Sequence, residues 1–174
     1  MAGEQGDRKG QLRERLVSGR ESFLAEVAAL NEEELARPVW SDGHGHWTTR
    51  ELIGHVAYAE AGMLPLIANT LAGNPPQPNP DFDINRYNEG RVRRAKEQTV
   101  PELLARLEAS RQETLTLLDS IADADLDRPS YHPALKETTV EGIFKVIAFH
   151  ERTHAKDMRA TRDAAAQTSS KTQP

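Results

Sequence analysis

Apolar residues recur at three- and four-residue spacings through four long stretches of this chain, and they alternate over no useful length. That period belongs to helices buried along one face and argues against any sizeable sheet. From Gln11 onward, Leu12, Leu16, Phe23, Val27 and Leu30 form the first stripe. Glu32 to Gly45 reads as irregular, broken by Pro38, Gly43 and Gly45. A second stripe of Leu52, Val56, Ala59, Met63 and Leu66 follows Thr48-Thr49-Arg50-Glu51, which is close to a capping box. Pro65 is expected to kink that helix or end its regular hydrogen bonding. Gly73-Asn74-Pro75-Pro76-Gln77-Pro78-Asn79-Pro80 is a stiff polar connection. A third helix begins near Ile84 or Asn85, and its second segment opens with Thr99 as cap and Pro101 in the first turn. Leu103, Leu104, Leu107, Leu115, Leu118 and Ile121 supply the apolar side of that segment. After Asp127-Arg128-Pro129, a fourth helix is predicted from about Thr139 to Arg162.

Four amphipathic helices with one long connection predict an all-α fold, a four-helix bundle with a long crossover, antiparallel or mixed. At 174 residues the chain suits one domain, placed at 11–162 between disordered tails at 1–10 and 163–174. Ser169 onward shows no periodicity at all. Two helix starts echo each other. Thr48-Thr49-x-Glu51-x-Ile53-x-x-Val56 recurs as Thr138-Thr139-x-Glu141-x-Ile143-x-x-Val146, each after an Arg-Pro.

Charge and composition narrow the function classes. The formal net charge is −5, with 27 acidic against 22 basic residues, so no broad basic surface for nucleic acid is expected. There is no cysteine, which excludes disulfides, thiolate metal ligands and a cysteine nucleophile. The start shows no signal-peptide pattern, and no apolar run reaches the roughly 20 residues of a membrane helix. A cytoplasmic protein with no membrane partner is the expectation.

Three histidines carry the chemistry. His150 lies seven residues after Ile143 and His154 seven after Ile147, so both continue the core-facing stripe of Val140, Ile143, Val146 and Ile147. They stand four apart, one above the other on the same helix face. His55, three after Leu52 and four before Ala59, also faces inward. Buried imidazoles need partners, and one shared cation satisfies all three. His55, His150 and His154 are therefore the candidate metal ligands. His44, His46 and His132 fall in loops and read as solvated or locally hydrogen-bonded, with His44 or His46 within reach of the pocket mouth. Glu151, turned about 100° from His150, reads as a surface acid beside Arg152, the alternative being a proton acceptor at the site. Asp157 is placed to orient an imidazole or to be solvated, and Trp47 to line the pocket or to pack at the helix start. The run Arg91-Val92-Arg93-Arg94-Ala95-Lys96 is either an anion-attracting patch or a solvated charged face.

His150-Glu151-Arg152-Thr153-His154 spells the H-E-x-x-H of zinc peptidases, in which the glutamate is the general base. Here no glutamate or histidine follows His154 to complete such a site, and no strand edge is visible to hold a peptide. The chain instead resembles the DinB/YfiT-like superfamily of metalloenzymes, which shares its name with an unrelated DNA polymerase. The resemblance rests on Trp47-Thr48-x-x-Glu51-Leu52-Ile53-x-His55-Val56-Ala57 and on His150-Glu151-x-x-His154, and it extends from the first helix to Arg159. It implies a metal triad at His55, His150 and His154. Many relatives follow the last histidine with a small residue and glutamine, where this chain has Lys156-Asp157-Met158.

The resemblance also implies a function, because its maleylpyruvate-isomerase-like and thiol-S-transferase-like branches use a low-molecular-weight thiol. Three neutral ligands leave a divalent cation its charge and an open position, able to acidify water or a thiol. The expected cofactor is a divalent transition metal, zinc by default, with nickel, iron and manganese as alternatives. Expected partners are a small-molecule substrate and the thiol, with room for a homodimer. The expected activity is a thiol-dependent S-transferase or related isomerase; the alternatives are a non-catalytic small-molecule-binding or stress-related bundle and a metal-dependent hydrolase.

Overall fold

The structure, a computed structural model, describes residues 7–40 and 46–171, without the side chains of residues 40, 46 and 168–171. Asp7 caps α1 (Arg8–Ala28), its carboxylate accepting the Gly10 N–H at 2.7 Å, so the helix starts before its apolar stripe does. The stretch read as irregular contains a short helix, α2 (Glu32–Ala36), whose start is tied by an Asn31/Glu34 capping box. Next come β1 (Pro38–Trp40), β2 (His46–Thr48) and α3 (Thr49–Leu71). The Thr48/Glu51 capping box forms as the sequence suggests, with Thr48 N–H donating to Glu51 Oε2 at 2.7 Å. Pro65 does not end α3; it sits on the exposed side of a helix that continues to Leu71.

The polar connection leads to α4 (Ile84–Ala95) and α5 (Val100–Ser120), the latter opened by a Thr99/Glu102 box with proline in its first turn. A 3₁₀ turn (Asp123–Asp127) precedes β3 (Pro129–His132), β4 (Lys136–Thr139) and α6 (Val140–Lys171). The last helix thus runs past the Arg162 boundary to Lys171, into the stretch expected to be a disordered tail. Ala164-Ala165-Ala166 explains part of that extension, since alanine is the strongest helix former.

The four long helices, α1, α3, α5 and α6, make the bundle. α1 runs along α6, and α3 packs on both α5 and α6. Gly19 makes the first of these contacts close: a Cβ there would lie 2.9 Å from the Ala148 carbonyl oxygen. The core falls into two apolar halves. One holds Phe23, Leu52, Ile53, Leu103 and Met158, and the other Leu12, Ile67, Leu118, Ile143 and Phe144. Following each helix through those halves gives its direction. α1 and α6 run from the second half to the first, whereas α3 and α5 run the opposite way. Parallel neighbours such as α3 and α5 cannot be joined by a short turn, and residues 72–99, carrying α4, are the crossover that joins them.

Two small antiparallel hairpins, absent from the sequence reading, begin α3 and α6. Pro38 pairs with Thr48 and Pro129 with Thr139. In each, the first helical N–H is held by the carbonyl of the arginine before the proline: Thr49 to Arg37 at 2.8 Å, Val140 to Arg128 at 3.1 Å. The echoed Arg-Pro and Thr-Thr-x-Glu segments therefore mark one repeated construction. Its register is one residue out from the letter match, since Thr48 corresponds to Thr139 and not to Thr138. Strands of three or four residues are too short for alternation to reveal.

Candidate metal centre

The β1–β2 hairpin and its capping box fix the start of α3, and His55 follows two turns later. His150 and His154 arrive from α6, whose first residue is anchored by the other hairpin. The three rings converge as their inward phase implied. His55 Nε2 lies 2.9 Å from His150 Nε2, and His154 Nε2 lies 3.2 Å from the same atom. All three candidate ligand atoms fall within 4.8 Å of one another. Nitrogens about 2.0–2.1 Å from a tetrahedral zinc stand about 3.3 Å apart, so the cluster is near the size of a coordination sphere. His55 and His154 are buried, while His150 is half-buried and leaves the cluster accessible.

Asp157 supplies an outer support. Its carboxylate sits 2.9 Å from His154 Nδ1, one turn along α6. A hydrogen bond from Nδ1–H to that oxygen selects the tautomer whose Nε2 lone pair points at the other two histidines. Of the two readings open for Asp157, orientation of an imidazole is the one its geometry fits. Trp47, half-buried, lays its ring 4.8 Å from that of His55, against the site, while also packing on the core.

Glu151 is not the surface acid expected. It is 2 % exposed, in a layer of charge that separates the two apolar halves. Arg20 of α1 donates to Glu151 Oε1 at 2.6 Å and to Glu60 Oε2 at 2.6 Å, and its third contact is the Leu107 carbonyl. Arg111 of α5 donates to Glu151 Oε2 at 2.8 Å and to Glu60 Oε1 at 2.9 Å, and also reaches the Leu16 carbonyl. Thr114 completes Glu60 with a hydroxyl at 2.6 Å. Burial pushes the Glu151 carboxyl up, against the opposing pull of Arg111 and Arg20. Two arginines and two glutamates, one from each long helix, form a neutral and hydrogen-bonded quartet. Sequence reasoning missed it because a 100° turn from the stripe was equated with solvent. The missed signal is that Arg20, Glu60 and Arg111 each interrupt an apolar stripe at an inward position.

The remaining candidates lie elsewhere. His132 is buried in β3, in the hairpin that joins the far end of α3, and its Nδ1 accepts the Ala134 N–H. Burial pushes its imidazole pKa down. Arg91 is spent on the Tyr58 carbonyl and the Tyr87 hydroxyl. His44 and the His46 side chain lie outside the described residues. No helix among the described residues is long and apolar enough to cross a membrane.

The arrangement can hold a divalent cation through neutral nitrogens, and it cannot use Glu151 as a base. Comparison with known folds agrees on the architecture. YfiT from Bacillus subtilis, described as a probable metal-dependent hydrolase with an unusual four-helix bundle topology, superposes with a TM-score of 0.77 at 20% identity. That match covers 95% of this chain and 92% of that one. The colibactin self-resistance protein ClbS, solved in complex with dsDNA, gives 0.73 at 15% identity over 89% of this chain and 95% of its own. The mycothiol-dependent maleylpyruvate isomerase gives 0.70 at 14% identity; 86% of this chain matches, spanning 60% of that protein. No curated protein matches at a significant level. The model of the DinB superfamily matches residues 15–158, from the first helix to beyond the last histidine of the cluster, and the chain belongs to that superfamily.

Proposed function

We propose that His55, His150 and His154 hold one divalent transition metal, zinc by default, and that the protein is a metal-dependent transferase joining a small thiol to an electrophilic substrate. The observation that carries this reading is the convergence of three imidazole ligand atoms within 4.8 Å, with Asp157 hydrogen-bonded to one of the rings and His150 half-buried. A divalent cation bound there supplies Lewis acidity, lowering the pKa of a thiol or of water at its open position.

The chain's own residues set the rest. Neutral imidazoles leave the cation's charge uncompensated, which favours an anionic sulfur over a neutral one. With no cysteine, the protein must take a thiol nucleophile from a cosubstrate. Glu151 is saturated by Arg20 and Arg111, so the peptidase role that H-E-x-x-H suggests has no base to perform it. Trp47, half-buried against the His55 ring, gives an apolar surface beside the cluster against which an organic substrate can pack.

The test is a panel of small thiols with model electrophiles, run on metal-loaded protein purified without a histidine tag. Thiol-dependent turnover that a chelator abolishes and added metal restores is the expected result. Chelator-sensitive hydrolysis without thiol would make water the nucleophile, and ligand binding without turnover would make the protein a carrier. Either outcome rejects the transferase.

A further inference from the structure

Helix α4 borders a basic, aromatic-lined cleft that none of the three histidines lines. Between Ile84 and Ala95 four arginines stand against one glutamate, in a chain whose net charge is −5. Arg86 and Arg94 are exposed and, among the described residues, take part in no ion pair. They stand eight apart, on one helix face, with Gly90 midway between them. No side chain therefore rises from the position midway between them.

The fold does not ask for that glycine. A Cβ at Gly90 would meet nothing within 4 Å, and its backbone is ordinary helix. Glycine inside a helix is destabilising relative to alanine, so the position gives up stability for an open notch. Beside the notch stand two exposed aromatic rings, Phe82 at 38% and Tyr87 at 41%, in contact at 5.3 Å between centroids. Tyr87 is held in place: Arg91 lies 4.3 Å over its ring, bonds its hydroxyl and is itself fixed to the Tyr58 carbonyl of α3. Together with Asp81 and Asp83 these residues line a cleft of about 820 Å³.

Paired arginines recognise phosphate through several N–H donors, and aromatic faces stack on planar bases. Two carboxylates in the same cleft, Asp81 and Asp83, disfavour a simple polyanion; Asp83 is engaged by the Asn85 and Arg86 N–H groups that it caps, which leaves Asp81 as the acceptor for sugar hydroxyls. We infer that the cleft over α4 binds a nucleoside phosphate, with phosphates on Arg86 and Arg94 across Gly90, the base against Tyr87 and Phe82, and the ribose toward Asp81. The same chemistry is offered by a free nucleotide or by a nucleotide within a single strand.

Calorimetric titration of the full-length, metal-loaded protein at low salt with ATP, adenosine, inorganic triphosphate and a ten-nucleotide single strand tests this. ATP should bind at least about tenfold tighter than adenosine or triphosphate alone. Arg86→Ala, Arg94→Ala and Tyr87→Leu should each weaken it by about tenfold or more. Gly90→Leu should fill the notch and abolish binding while raising Tm by about 2–4 °C, a combination that misfolding cannot produce. If the oligonucleotide binds tighter than ATP and is lost in the same variants, the site is supported and its ligand is a strand; the reverse order assigns a free nucleotide. Absence of binding, binding that these variants leave unchanged, or triphosphate matching ATP would overturn the inference.

Discussion

Replacing Glu151 by glutamine should destabilise the protein far more than a surface substitution would. The change keeps the shape of the side chain but leaves Arg20 and Arg111, both buried, sharing the single carboxylate of Glu60. Removing one partner of a buried ion pair typically costs about 3–5 kcal/mol, because the remaining charge stays desolvated. Glutamine can still accept one hydrogen bond, which places the expectation near the lower figure, about 3 kcal/mol. For a chain of this size each kcal/mol moves Tm by about 2–4 °C, so a fall of about 6–12 °C is expected. Urea denaturation should show a lower midpoint with an unchanged slope, since the surface exposed on unfolding does not change. Combining Glu151→Gln with Arg111→Met removes one charge of each sign and leaves the Arg20–Glu60 contact at 2.6 Å. The double variant should therefore lose about 1–3 kcal/mol less than the sum of the two singles. A loss below about 1 kcal/mol for Glu151→Gln, the scale of an exposed pair, would refute the reasoning.

Asp157→Asn should weaken metal binding by roughly 10–100-fold in competition with a chelating dye, while Tm of the metal-free protein moves by less than about 2 °C; an unchanged affinity would remove Asp157 from the site. Chelation should lower the Tm of the loaded protein, since a ligand at about 100 times its Kd adds roughly 2.7 kcal/mol to the native state, yet far-UV dichroism should stay helical because both apolar halves persist without it. Burial holds His132 below the ordinary histidine pKa, so the unfolded chain binds the proton more readily. Its contribution to stability is present above about 6.5 and is lost as pH falls from there through the lowered folded value. His132→Gln should flatten that part of the pH profile in metal-free protein, measured by urea denaturation at pH 7.5 and pH 5; an identical profile in the variant would show that His132 is not its source.

How much of this was legible in the sequence depends on the length over which each signal repeats. Stripes of four or five turns fix helices, and the histidine phase was readable because His150 and His154 extend such a stripe by whole heptads. The hairpins were not, since three-residue strands give alternation no room. Helix ends were read where a cap supports them, at Thr48 and Thr99, and misread at the last helix, where alanines sustain it without an apolar face. The basic run reads in sequence as either an anion-attracting patch or a solvated face, and the structure divides it. Arg91 turns inward to α3, while Arg94 faces the cleft with Arg86.

Glu151 shows why a local motif takes its meaning from the faces its helix buries. In a peptidase the glutamate of H-E-x-x-H must look into the substrate cleft. Here α6 is flanked by α1 on one side and α3 on another, so the residue after His150 points between helices. Only Arg20 and Arg111, distant in sequence, make that burial tolerable. The quartet also bears on the histidines, because Glu60 lies five residues beyond His55 on α3 and Glu151 directly follows His150 on α6. The same two arginines hold both carboxylates, so the relative height of the two ligand-bearing helices is set one layer from the cluster. Glu151→Gln should therefore lower metal affinity by about tenfold, as loss of an outer support for a ligand does. Full retention of affinity in a destabilised variant would show that the quartet holds the fold without positioning the site.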